Sequence, residues 1–219
     1  MSLTDRQAAR RRAELVDLLR PHVADARVLE ALGAVPRHEF VPDRSLWRRA
    51  YEDVALPIGL GQTISQPRTV ARMTEELAVR PGERVLEVGT GSGYQAAVLV
   101  ALGARVFSVE RHAPLLRQTE GVFRRLGLRV RTRAGDGTRG WPGYAPFDAI
   151  VVTAGGPRVP DELVEQLRDP VEGKPDARLL IPVGPPDRQV LTRLTKTGPD
   201  TVTRESFDGV LFVPLVRDD

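Results

Sequence analysis

Gly89, Gly91 and Gly93 stand at alternate positions directly after the apolar run Arg84-Val-Leu-Glu-Val88, and a helix pattern follows them. Without a Cβ each can turn at positive φ and let the backbone approach a ligand that a side chain would exclude. Glu110 ends the next apolar run, Arg105-Val-Phe-Ser-Val109, nineteen residues after Gly91. That is about the separation at which a carboxylate reaches both hydroxyls of a ribose in a strand–helix–strand unit. The dinucleotide fingerprint wants a further glycine where this chain has Tyr94. NAD is therefore disfavoured, and a mononucleotide-like ligand such as S-adenosylmethionine is favoured. A third loop, Ala134-Gly-Asp-Gly137, offers a short acid that can reach an adenine amino group. Alone it reads as a plain turn; in register after the other two loops it reads as a third ligand contact.

The segment Gly61-Gln-Thr-Ile-Ser-Gln-Pro67 sets two hydroxyls, Thr63 and Ser65, just before a helix start. Ser65 is expected to cap that helix, and a helix N-terminus with hydroxyls beside it suits a carboxylate. No Ser-His-Asp arrangement is evident and no strand-to-helix elbow surrounds Ser65, so it reads as a positioning donor. A carboxylate is already ionised at neutral pH, so its alkylation needs alignment and no general base.

Helices are expected over 5–20, 24–34 and 67–79, and residues 36–66 carry too much Pro and Gly for regular structure. A loop of that length is usually functional. The pattern then runs strand 83–88, helix 92–102, strand 104–110, helix 112–126, strand 128–134, strand 147–153, helix 160–167 and strand 178–183. Apolar runs of this kind separated by helices predict a parallel sheet covered on both faces. Runs at 188–196, 201–207 and 209–216 have no helix between them and predict an antiparallel edge, and 169–176 resembles a linker. The expected fold class is α/β, Rossmann-like, a mostly parallel seven-stranded sheet with antiparallel C-terminal edge strands and N-terminal helices. One domain is expected over 1–219, with 1–80 a helical and loop cap for the substrate and 81–219 the cofactor-binding core.

The chain has 219 residues, 41% of them hydrophobic, and no Cys, so neither a disulfide frame nor a thiolate metal site is available. His22, His38 and His112 fall in no metal-binding spacing, and no metal is expected. No run reaches the roughly 18 to 20 apolar residues of a membrane span, and the N-terminus shows no signal-peptide pattern; a soluble cytoplasmic protein is expected. The net charge is only +3 despite a sequence pI near 9.8, because almost every basic residue is Arg. Arg10-Arg11-Arg12 lies among Leu15, Leu18 and Leu19 at helical spacing, and reads as a solvated helix face sooner than a nucleic-acid contact.

Val35-Pro-Arg-His-Glu-Phe-Val-Pro42, Ala50-Tyr-Glu-Asp53, Pro57 to Pro67, Val85 to Tyr94, Gly135-Asp-Gly137, Phe147 to Ala154, Ile181-Pro-Val-Gly184 and Phe212-Val-Pro-Leu215 together resemble the protein-L-isoaspartate (D-aspartate) O-methyltransferases. The resemblance runs from about residue 28 to the end, with Thr63-Ile-Ser-Gln-Pro67 its most specific part. It implies methyl transfer from S-adenosylmethionine, leaving S-adenosylhomocysteine, to the α-carboxyl of L-isoaspartyl and also D-aspartyl residues of damaged proteins and peptides. It makes Ser65, with Thr63, the catalytic pair and the Phe212 region a border of the peptide groove. It places Gln62, Ile64, Glu87, Gly89, Thr90 and Gly91 at the cofactor. Gly93, Tyr94, Glu110, Arg111, Asp136 and Gly137 join them there. A monomer acting on isoaspartyl proteins, with no nucleic-acid or membrane partner, is expected. Asp169 to Ala177 departs from the family, which usually runs Pro-Gly-Gly-Arg into the fifth strand; this puts the loop's conformation in question. The alternatives are a methyltransferase of another carboxyl or small-molecule acceptor, a non-catalytic S-adenosylmethionine-binding module, and, more distantly, a dehydrogenase.

Overall fold

The computed structural model describes residues 4–218. Helix α1 (Asp5–Leu19) opens in a capping box, the Thr4 hydroxyl accepting from the Gln7 amide and the Gln7 side chain from the Thr4 amide, which satisfies two otherwise free N–H groups. Leu15 and Leu19 are buried while Leu18 faces water, and the buried stripe packs on α2 (Ala26–Ala34). Arg10 pairs with Glu14, and Arg11 reaches the Arg48 carbonyl, as a solvated helix face does.

Residues 36–66 depart from the expectation of irregular chain. Three short 3-10 turns, Arg37–Phe40, Arg44–Leu46 and Arg49–Tyr51, are followed by a hairpin of β1 (Leu56–Gly59) and β2 (Gln62–Ile64). Its tip is Gly59-Leu60-Gly61, all at positive φ (98°, 70° for the glycines and 53° for Leu60). The glycines that read as breakers are the ones that permit this turn.

Helix α3 (Pro67–Leu77) leads into β3 (Arg84–Val88), α4 (Tyr94–Ala101), β4 (Arg105–Glu110), α5 (Ala113–Arg125), β5 (Val130–Ala134), β6 (Ala149–Val152), α6 (Asp161–Glu165), β7 (Ala177–Val183), β8 (Gln189–Gly198) and β9 (Thr201–Val210). The sheet order is β5-β4-β3-β6-β7-β8-β9, parallel through β7 and antiparallel for the last two strands. Every residue of β6 and all but the first of β3 are buried, which is why β6 reads as a continuous apolar run and β3 as one broken only by the buried Glu87. The order reverses between β3 and β6. A crevice at that switch point, beyond the carboxyl ends of the strands, is where such sheets take ligands. The N-terminal segment shares the core on one face of the sheet: Leu32, Phe40 and Ile64 cluster with Val85, Val98 and Val106.

The edge differs from the two expected strands at 201–207 and 209–216. A single strand, β9, runs to Val210, and residues 211–216 leave β8 to form only one bridge, between Gly155 and Pro214. Pro214 has no N–H for a ladder. The Gln189 side chain does that pairing instead: its Oε1 accepts from the Phe212 amide and its Nε2 donates to the Phe212 carbonyl. The loop after Leu167, lacking the Gly pair, is held by Arg168, whose guanidinium donates to Asp148 and to the carbonyls of Asp169 and Pro175. Among the described residues no helix is long and apolar enough to cross a membrane.

Candidate active site

The loop after β3 is anchored before any ligand enters. The Gly89 amide donates to the Val109 carbonyl at 2.8 Å, and the Gly91 amide donates to Glu110 Oε2 at 2.9 Å. Thr119 Oγ1 donates to the Gly91 carbonyl. Gly89 and Gly93 hold φ of +94° and +87°. A Cβ at the first would collide with Thr153 Oγ1, and at the second with the Phe123 ring. Glu110 is buried, with Oε1 accepting the His112 amide. Each oxygen keeps lone pairs free for hydroxyls.

Over this loop lies a cavity of about 340 Å³, walled by Val88, Gly89, Glu110, Arg111, His112 and Gly137, and closed by Gln62, Thr63 and residues 213–216. A mostly apolar cavity with a few convergent polar groups suits a nucleoside. Gly137 reaches its wall, but the Asp136 carboxylate does not. Asp136 Oδ1 accepts from the Thr138 amide and hydroxyl, and Oδ2 from the Asp218 amide. Burial pushes its pKa up, yet these hydrogen bonds outweigh burial and hold it below the usual carboxylate range.

A narrower recess, about 40 Å³, opens between Glu87, Thr90, Ser92, Gln95 and the Thr63–Ser65 strand end. Glu87 is fully buried; Ser108 donates to Oε2, while Oε1 has no partner among the described residues. Burial pushes its pKa up to about 8 against the Ser108 hydrogen bond, with the Glu110 charge adding to the rise. A buried acceptor without a partner calls for a missing donor, and an ammonium group fits both the size and the sign. Thr90 reaches the same network through Ser108, 2.6 Å between hydroxyls. Tyr94 borders the recess but is buried, its ring packed edge-on to Phe40 and beneath the Arg37 guanidinium.

A groove of about 750 Å³ runs beside both spaces, lined by Thr63, Ser65, Gln66, Thr69, Gln189 and residues 209–213. Thr63 and Thr153 border groove, cavity and recess alike. The expected capping role of Ser65 is not what forms. Gln66 is the N-cap residue of α3 and gives no side-chain hydrogen bond. The Arg68 amide is taken by Asp53 Oδ1 at 2.8 Å, and the Arg68 side chain pairs with the same carboxylate. A distant aspartate thus satisfies the helix start, and the Ser65 hydroxyl is left to the groove.

Sequence reasoning gave no role to Thr153, which donates to the Gly89 carbonyl at 2.6 Å, or to Gln189. Thr153 directly follows β6, the strand beside β3 at the switch point, so topology marks it once the order is known.

A parallel sheet reversing at a Gly-x-Gly-x-Gly loop, with a nucleoside-sized cavity beside a hydroxyl-lined groove, defines the fold of S-adenosylmethionine-dependent methyltransferases. The sequence profile of protein-L-isoaspartate (D-aspartate) O-methyltransferase matches residues 10–219. The protein-L-isoaspartate O-methyltransferase of Salinibacter ruber is 54% identical over 98% of this chain and 95% of its own length. That of Methylorubrum extorquens is 53% identical over 97% and 90%. A solved protein-L-isoaspartate O-methyltransferase superposes with TM-score 0.84 at 28% identity, covering 93% of this chain and 65% of that one. A Plasmodium falciparum structure described as this type of enzyme, in complex with S-adenosylhomocysteine, shares the fold with TM-score 0.82 at 23% identity over 94% and 99%. The chain belongs to the protein-L-isoaspartate (D-aspartate) O-methyltransferase family.

Proposed function

We propose that this protein transfers the methyl group of S-adenosylmethionine to the α-carboxyl of L-isoaspartyl residues in damaged proteins and peptides, extending to D-aspartyl residues. The carrying observation is that the hydroxyl-bearing strand end Thr63–Ser65 separates the nucleoside cavity from the groove, with Thr153 touching both. S-adenosylmethionine supplies an activated methyl on a positively charged sulfur. Glu110 would hold the ribose hydroxyls and Glu87 the amino group, with residues 213–216 forming the outer wall of the same cavity. Residues 1–80 act as a cap that carries Thr63 and Ser65 onto the core.

Alkylation of a carboxylate by a sulfonium removes charge as it proceeds, so an enclosed site that fixes the line of attack and excludes water accelerates it. Ser65 and Thr63 hold the acceptor carboxylate by hydrogen bonds. No side chain has to remove a proton. The ester then closes to a succinimide without further help from the protein, as the following backbone nitrogen displaces methanol from the ester carbonyl, and hydrolysis of the imide returns part of the damage to aspartate. The reading takes the enzyme as a monomer, since cavity and groove are both lined from one chain, and as cytoplasmic.

An isoaspartyl peptide and its aspartyl twin present carboxylates one methylene out of register. A misplacement of about 1 Å costs on the order of 100-fold where alignment carries the rate. Radiolabelled methyl transfer is therefore expected on the first and nearly absent on the second; equal rates on both remove the isoaspartyl assignment. Glu110→Ala is expected to weaken cofactor binding by roughly 1 to 3 kcal/mol by calorimetry. Glu110→Gln offers no mild alternative, because each oxygen accepts a backbone N–H and an amide NH2 would face one of those donors. Unchanged affinity in both variants rules out the ribose role.

A further inference from the structure

Arg37 has no exposed surface, yet it carries a full guanidinium. Its Nε donates to the Ala50 carbonyl at 2.8 Å. Nη2 donates to the Ser65 carbonyl at 2.7 Å and more weakly to that of Val54 at 3.4 Å. The same guanidinium lies 4.7 Å from the centroid of the Tyr94 ring. Tyr94 is the first residue of α4, next to Gly93, so its position is tied to the glycine turn. Nη1 has no partner. Desolvation lowers the Arg37 pKa to about 10, which leaves it charged at neutral pH.

One side chain therefore touches the two halves of the site: the backbone of the residue that bears the acceptor-side hydroxyl, and the ring that begins the helix after the donor-side turn. A core filler would not need a charge here, and burying one is costly unless it is hydrogen-bonded. An aliphatic side chain could fill the space but could not grip three carbonyls from different segments. Lysine carries the charge without the planar fork that reaches two directions at once.

We infer that Arg37 is a positioning residue which sets the register between the methyl donor and the acceptor carboxylate by fixing Ser65 relative to Tyr94 and the glycine turn. It touches neither substrate. Its effect should appear in the chemical step, because a shift of the Ser65 backbone misaligns the line of attack while Glu87, Gly89 and Glu110 still hold the cofactor. This inference rests on the proposed function, and wild-type turnover of the isoaspartyl peptide tests that function separately.

The experiment uses the full chain with Arg37→Met and Arg37→Lys, folding being checked by circular dichroism and thermal melting. Arg37→Met is expected to lose about 100-fold in kcat on the isoaspartyl peptide. S-adenosylhomocysteine Kd and peptide KM should stay within about threefold. Arg37→Lys should recover part of the loss. Arg37→Ala should regain activity on addition of millimolar guanidinium, at concentrations far below denaturation. A purely structural role would lower melting temperature, cofactor affinity and turnover together, and would give no rescue; that pattern overturns the proposal. Full kcat in a folded Arg37→Met overturns it too. Failure of all three variants to fold assigns Arg37 to the fold alone and likewise overturns it. If wild type itself leaves the isoaspartyl peptide unmethylated, the proposed function fails, and Arg37 with it.

Discussion

Ser65→Ala is expected to lower kcat/KM on an isoaspartyl peptide by about 100-fold while leaving stability within about 0.5 kcal/mol of wild type. The pairing of these outcomes comes from the start of α3. Had Ser65 been the cap, its loss would cost about 1 kcal/mol; here Asp53 satisfies the Arg68 amide and Gln66 occupies the cap position. Ser65 lines the groove, whereas its carbonyl is held by Arg37 and survives the substitution. Cofactor affinity should change less than turnover, since Ser65 is absent from the cavity around Glu110 and meets the cofactor's space only at the recess beside Glu87. Thr63→Val makes the contrast, because Thr63 borders both spaces and should change peptide turnover and cofactor affinity together. Steady-state kinetics, thermal melting and calorimetry check the set. A destabilised Ser65→Ala enzyme with undiminished turnover would return Ser65 to a structural role.

The legible parts of the chain were those whose physics is local. β6 lies buried on both faces and showed as an unbroken apolar run, β3 as one interrupted by Glu87, and the Gly89–Gly93 turn showed because only glycine tolerates its backbone angles beside Thr153 and Phe123. The hairpin at 56–64 was obscured by the very glycines that form its tip. The last strand was misjudged because Phe212 pairs with the side chain of Gln189, and nothing local marks such a pairing. Capping of α3 by Asp53 spans fifteen residues, beyond the reach of a rule that looks one position upstream. Asp136 shows the converse. Its loop does border the cavity through Gly137, but the Asp136 carboxylate itself turns back to Thr138 and Asp218. Arg37, Thr153 and Gln189 depend on contacts between distant segments, so residue type alone could not single them out.

Glu87→Gln is expected to stabilise the cofactor-free protein and to weaken cofactor binding, with both effects tied to pH. Glu87 is raised from 4.5 to about 8 in the folded chain by burial. Between those values the folded state holds a proton that the unfolded state has released, so stability falls as pH rises from about 4.5 to about 8, by on the order of a few kcal/mol in all. The penalty is absent below 4.5 and complete above 8. A neutral glutamine escapes it, so the variant should gain on wild type steadily across that window in denaturant titrations at pH 5, 6.5 and 8. Parallel stability curves for the two proteins would show that Glu87 is ionised in the fold. Cofactor binding runs the other way. An ammonium at Oε1 demands the carboxylate, so wild type should release a proton on binding below pH 8. Its affinity should rise by up to about tenfold per pH unit in that range, and the binding heat should differ between phosphate and Tris by their ionisation enthalpies. Glu87→Gln should lose both signatures. At saturating cofactor the turnover rate should remain nearly flat from about pH 6 to 8, because the acceptor carboxylate is already ionised; a steep rise there would place a titrating base in the methyl-transfer step.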